Sequence, residues 1–124
     1  MNVDFDVIQY IHETYQVLPE YLWAKNPQCC IFRHQHNRKW FAVLMRQVSA
    51  SKLNGTGLPA DVDLLNLKCD PELSQMILID HQTIFPAYHM NKKHWISVVL
   101  NQCQHTHQIE ELKNLLAHSF QKTS

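Results

Sequence analysis

Nine histidines and four cysteines stand among the 124 residues, and their spacing decides what chemistry they could carry. Two pairs, His34-x-His36 and His105-x-His107, lie two apart. On a strand, such residues share a face and could chelate zinc or nickel. Both pairs fall in segments that read as turns, with no carboxylate or cysteine at ligand spacing beside them, so surface histidines are the plainer reading. Cys29 and Cys30 are adjacent, while Cys69 and Cys103 stand alone, which leaves no Cys-x-x-Cys zinc or redox motif. A nucleophilic cysteine served by a histidine has no local signature here. His-Glu-x-x-His and Gly-x-Ser-x-Gly are absent, and two glycines in the whole chain leave no phosphate-cradling loop. No cofactor and no metal are implied, and the expectation is a protein that is not an enzyme.

The densest polar cluster flanked by strand-like sequence is Asn91-Lys92-Lys93-His94, between the apolar runs Ile84 to Tyr88 and Trp95 to Leu100. Around it the charges are sorted, although the formal net charge is zero. Residues 1–20 carry four acids and no Lys or Arg. Residues 21–60 carry Lys25, Arg33, Arg38, Lys39, Arg46 and Lys52 with no acid. Residues 61–80 return Asp61, Asp63, Asp70, Glu72 and Asp80 against Lys68, and residues 81–109 add Lys92 and Lys93 alone. Such sorting can create a basic face on a neutral protein, or the segments can neutralise one another once folded. Arg38, Lys39, Lys92, Lys93 and His94 are therefore the candidate nucleic-acid-binding residues, since Arg and Lys at turn tips meet phosphates. Against this, Asn91 can close its turn through its own side chain, His94 can bond backbone, and Trp95 reads as core beside Ile96 and Val98.

The elements that must position these residues follow from periodicity. Asp4 to Gln16 reads as a helix capped by Asp4, with Asp6 in its first turn, Val7, Ile8, Ile11, Tyr15 and Leu18 on one stripe, and Pro19 as its stop. Cys29 to His34 and Lys39 to Val48 form a hairpin around Gln35-His36-Asn37. In the second strand Trp40, Ala42 and Leu44 oppose Phe41, Val43 and Met45, so it is central and covered on both faces. Ser49 to Ala60, with Asn54-Gly55 and Pro59, reads as a long polar loop. Val62 to Cys69 is a third strand. Asp70-Pro71-Glu72 starts a helix running to about Ile79, with Leu73, Met76 and Ile77 buried. Thr106 caps a last helix carrying Ile109, Leu112, Leu116 and Phe120, before a frayed tail Lys122-Thr123-Ser124. The order α-β-β-β-α-β-β-α has links too short for parallel crossovers. The fold class is α+β: a mainly antiparallel five-stranded sheet with helices packed on one face, in a single domain over residues 1–124. No apolar run is long enough to span a membrane, the acidic opening is no targeting peptide, and unpaired cysteines fit a cytoplasmic protein, expected as a monomer.

Pro86, Asn91-Lys92-x-His94-Trp95 and Val98-Val99 closely resemble the signature of the MmcQ/YjbR-like proteins, and two further blocks agree in order. Lys39-x-Phe41-Ala42 resembles that family's second-strand motif, and Leu67-Lys68-Cys69-Asp70-Pro71-Glu72 its strand-to-helix junction. The resemblance covers essentially the whole chain. It implies a frataxin/CyaY-like, double-wing fold and a DNA-binding role. Arg38 replaces the glycine usual before the second-strand lysine, which changes that turn and adds a charge. The acidic ridge by which frataxin relatives bind iron has a thin counterpart in Asp4, Asp6 and Glu13, so iron binding is not carried over. Two alternatives stay open: a protein-interaction or regulatory module using the sheet face or the Ser49–Ala60 loop, and a small-molecule binder or enzyme built on His94 with a cysteine.

Overall fold

The computed structural model describes residues 5–53, 58–78 and 83–124. Helix α1 spans Val7–Tyr15 and is capped by Asp6, whose carboxylate accepts the Gln9 N–H at 3.2 Å. The expected cap, Asp4, lies outside the described residues. Gln16 ends the helix in a left-handed conformation (φ 58°), donating its N–H back to the His12 carbonyl. The chain has thus left the helix before Pro19, and Leu18 is 64% exposed rather than part of the buried stripe.

Five strands follow: β1 (Cys30–Arg33), β2 (Trp40–Ser49), β3 (Asp61–Lys68), β4 (Ile84–Pro86) and β5 (Trp95–Val99). They form one antiparallel sheet in the order β1-β2-β3-β5-β4. Helix α2 (Pro71–Ile77) joins β3 to β4, and α3 (Thr106–Thr123) closes the chain. The expected α+β class and element order are borne out. Val7 and Ile11 of α1 and Ile109, Leu112 and Leu116 of α3 pack on Phe32, Leu44, Leu65, Leu67, Ile96 and Val98, while Leu73 and Ile77 of α2 lie at the margin. All three helices therefore cover one sheet face. Complete burial of a leucine such as Leu112 or Leu116 is worth about 1.5–3 kcal/mol.

Several local expectations are corrected. The register shifts between Phe32 and Arg33: Phe32 pairs with Ala42 but Arg33 pairs with Trp40, leaving Phe41 as the extra residue of a bulge. Phe41 turns into the helix-side core with Ala42 and Leu44, whereas Trp40 joins Val43 and Met45 on the far side. The Ser119 hydroxyl of α3 serves the disrupted ladder by donating to the Phe41 carbonyl (2.5 Å) and accepting the Lys68 N–H (2.9 Å). Met76 is 72% exposed, and the expected helix end at Ile79 lies outside the described residues. His105, not Thr106, caps α3. No frayed tail exists, because Thr123 is buried and helical and Lys122 pairs with Asp70 at 3.1 Å. His34, expected at the surface, is buried, with its Nε2 2.8 Å from Thr123 Oγ1. The Thr123 hydroxyl donates to the Ser119 carbonyl, so it is left to accept from His34. The stretch after β2 is only partly a loop: Ala50–Leu53 forms a 3-10 turn whose Ala50 and Leu53 are buried with Val62, Leu64 and Val99. Asn54-Gly55 lies outside the described residues.

The helix-free face is also covered, as the two-sided apolar pattern of β2 implies. One register row crosses all five strands there: Ile31, Val43, Asn66, Ser97 and Phe85. Its two polar members are fully buried and hydrogen-bonded, with Ser97 donating to Asn66 Oδ1 (2.5 Å) and accepting the Tyr88 N–H (2.8 Å). Asn66 Nδ2 donates to the Tyr88 carbonyl (2.9 Å), so the loop after β4 is latched down over the sheet.

Candidate nucleic-acid interface

Both basic turns depend on an asparagine. In the β1–β2 turn the Asn37 Oδ1 accepts the Lys39 N–H (2.9 Å), and Asn37 Nδ2 donates to the Thr123 carbonyl (2.8 Å), which docks the turn on the end of α3. Arg38 takes φ 61°, the left-handed region that suits glycine, so this arginine is housed in a conformation a glycine would adopt freely. In the β4–β5 turn the Asn91 Oδ1 accepts the N–H groups of Lys93 (2.8 Å) and His94 (3.3 Å), which is the turn-closing role expected of it. The His94 carbonyl accepts the Cys69 N–H (2.8 Å), tying this turn to the start of α2.

The sheet register brings these turns to one end of the molecule. Arg33 pairs with Trp40 at the foot of the first turn, Ala42 pairs with Leu67, and Lys68 pairs with Trp95 at the foot of the second. Three strand spacings separate the turns, a span of about 14 Å. Arg38, Lys39, Lys92 and Lys93 are exposed, and among the described residues none forms an ion pair with a carboxylate. Two carboxylates near this end, Glu20 and Asp70, have cations of their own, and Glu72 stands exposed beside Asp70. Arg33 beside Glu20 holds its carboxyl below the usual range with a smaller contribution from the Arg38 charge, and Lys122, with the Glu72 N–H, does the same for Asp70.

Two features were not read from the sequence. The Lys92 ammonium donates to the Ala87 carbonyl (2.9 Å), so this lysine helps to hold its own loop. Trp95 is not core: it is half-buried on the helix-free face, with Lys68 Nζ 5.5 Å from its ring centre. Strand alternation carried that signal, since Trp95 and Ser97 share one face while Ile96 and Val98 share the other. Lys68 therefore stands between the two basic turns, over an aromatic ring.

Cys69 is held beside His94 by the backbone bond between them. Burial pushes the thiols of Cys30, Cys69 and Cys103 up to about 11, away from the reactive thiolate. The His34–His36 rings lie 5.4 Å apart and the His105–His107 rings 5.9 Å apart. Among the described residues no three His, Cys, Asp or Glu side chains gather as metal ligands, and no helix is long and apolar enough to cross a membrane.

The chain is similar to known proteins. A family model described as YjbR matches residues 12–122. The chain is 40% identical over 118 residues to the uncharacterised protein YyaQ of Bacillus subtilis, covering 95% of each. It is 35% identical to the uncharacterised protein YbdF of Escherichia coli O157:H7, over 73% of this chain and 67% of that one. A Pseudomonas syringae crystal structure superposes with a TM-score of 0.81 at 39% identity, over 95% of this chain and 96% of that one. A Deinococcus radiodurans protein with a DUF419 domain follows at a TM-score of 0.59 and 25% identity, over 84% and 65%. With a family match over most of its length and a relative sharing two residues in five, this chain belongs to the YjbR family.

Proposed function

We propose that the protein is a non-enzymatic DNA-binding module, acting in the cytoplasm as a monomer, that contacts phosphates across one end of its sheet. Arg38 and Lys39 form one contact point and Lys93 the other, with Lys68 between them. Lys92 shapes the second turn and keeps two ammonium protons for phosphate, and His94 is a polar contact beside it. The observation that carries the reading is the register, which gathers basic side chains far apart in sequence at one sheet end, where among the described residues Lys39, Lys92 and Lys93 have no ion pair with a carboxylate. Their spacing of about 14 Å is on the scale of the duplex major groove. The double-wing expectation fits this arrangement, with each basic turn as the tip of a wing. The non-enzymatic part is supported by the buried, protonated thiols. Unpaired cysteines support the cytoplasm. Anisotropy of labelled duplex and single-stranded DNA, titrated across salt, tests the reading: binding that is absent, or present but indifferent to salt, rejects it.

A further inference from the structure

A cavity of about 460 Å³ opens on the helix-free face and reaches the basic sheet end at Trp40 and Met90. Its floor is Val43 and Met45 of β2. One wall is the connector before β1, bringing Trp23 and Cys29, and the other is the latched loop at Tyr88 and His89. Volume and mixed lining match a small-molecule site rather than a packing defect. We propose that this cleft binds a small planar anion, an aromatic ring system bearing a carboxylate or phosphate group.

Three observations converge on that chemistry. Trp23 and Trp40 meet edge to face (centroids 6.1 Å apart, 88° between planes), which leaves ring surface available to a flat ligand. Lys52 and Arg46 line the cleft, and among the described residues no carboxylate does. Lys52 has no carboxylate partner among the described residues. Its Nζ lies 5.9 Å over the Tyr88 ring and 3.4 Å from the Tyr88 hydroxyl, while Arg46 reaches Asp63, outside the lining, at 3.7 Å. Cations and aromatic rings lining one cleft favour an anion that carries a ring. The walls are also set in advance. Asn66 and Ser97 fix the Tyr88 backbone, and the connector closes on itself through Asn26 N–H to Trp23 carbonyl (3.1 Å) and Cys29 N–H to Asn26 carbonyl (3.0 Å). Gln47 and His89, two residues of the lining, hold left-handed φ values of 58° and 61°.

The test uses the whole chain, isotope-labelled for amide NMR, with two matched probe pairs: naphthoate against naphthamide, and adenosine monophosphate against adenosine. At least one anion should give saturable shifts confined to the amides around Val43, Met45, Gln47, Lys52 and His89. Its neutral counterpart should bind about fivefold more weakly or less, and Lys52→Gln should weaken the anion by a similar factor. Trp23→Ala, at a partly exposed position, should also weaken it. Iodoacetamide labelling of Cys29, the one half-buried cysteine, should slow when the ligand is present. Absent or scattered shifts from both anions, equal binding of the neutral partners, or unchanged affinity in Lys52→Gln would each overturn the proposal. A short oligonucleotide is then added to the loaded protein. Retention of the small anion leaves the cleft as a site of its own, whatever the fate of the DNA reading. Displacement from the cleft amides would make it a base subsite for DNA and overturn the small-ligand proposal.

Discussion

The ammonium of Lys92 donates to the carbonyl of Ala87 at 2.9 Å, while the neighbouring Lys93 side chain is exposed and has no ion pair among the described residues. Two adjacent lysines therefore have different work. Lys92→Met should cost about 0.5–1.5 kcal/mol, the range of a single hydrogen bond. Lys93→Met should stay within about 0.5 kcal/mol of the parent, as surface changes do. Urea unfolding of both variants decides the point, and equal midpoints would remove Lys92 from its loop-holding role.

Arg38 gives a case where stability and binding should move in opposite directions. Its φ of 61° disfavours a side chain, so Arg38→Gly relieves local strain of up to about 1 kcal/mol, partly offset by the freedom glycine adds to the unfolded chain. The variant should be at least as stable as the parent by thermal melting and should bind DNA more weakly. A clear drop in stability would mean that the arginine side chain holds the turn.

Stability should depend on His34. Burial, and then the neighbouring His36, hold its pKa below the ordinary 6.5, against an opposing bond to the Phe120 backbone. The folded state thus prefers neutral imidazole, and the unfolded chain binds the proton more readily. Stability contributed by neutral His34 is present at neutral pH, declines as pH falls through the unfolded-state value, and levels off below the folded-state value. Melting temperatures taken between about pH 7 and 5 should fall with pH, and His34→Gln should flatten that slope. An unchanged slope in the variant would assign the dependence to other groups.

Ser97 is the buried link between Asn66 and the Tyr88 backbone. Ser97→Ala leaves the Tyr88 N–H without its partner beneath the loop, at a cost of about 1–3 kcal/mol. Hydrogen exchange at Tyr88 and His89 should quicken more than exchange at Leu65 and Leu67. Uniform acceleration would show a general loss of stability instead of a released latch.

The chain's periodicity made the element order and sheet class legible, because helical stripes and strand alternation are written in consecutive residues. The basic turns were legible for the same reason, as short polar clusters between apolar runs. What escaped depends on distant partners. Phe41 leaves the alternation of β2 through a bulge completed by a hydroxyl from α3, so no local pattern marks it. Thr123 looks like the start of a tail until His34 and Asn37 meet it from the other end of the chain. Trp95 reads as core from its apolar neighbours, although its position in the alternation puts it beside Ser97 on the other face. The cleft draws its walls from three separate segments, and sequence alone does not bring them together.

The central claim is that cations at the sheet end bind phosphate, and the salt dependence of DNA binding tests it most directly. Log affinity against log salt should fall linearly for the parent, with Lys39→Gln/Lys93→Gln shallower by about two slope units, one for each phosphate contact removed. A double variant whose slope and affinity match those of the parent would contradict the account.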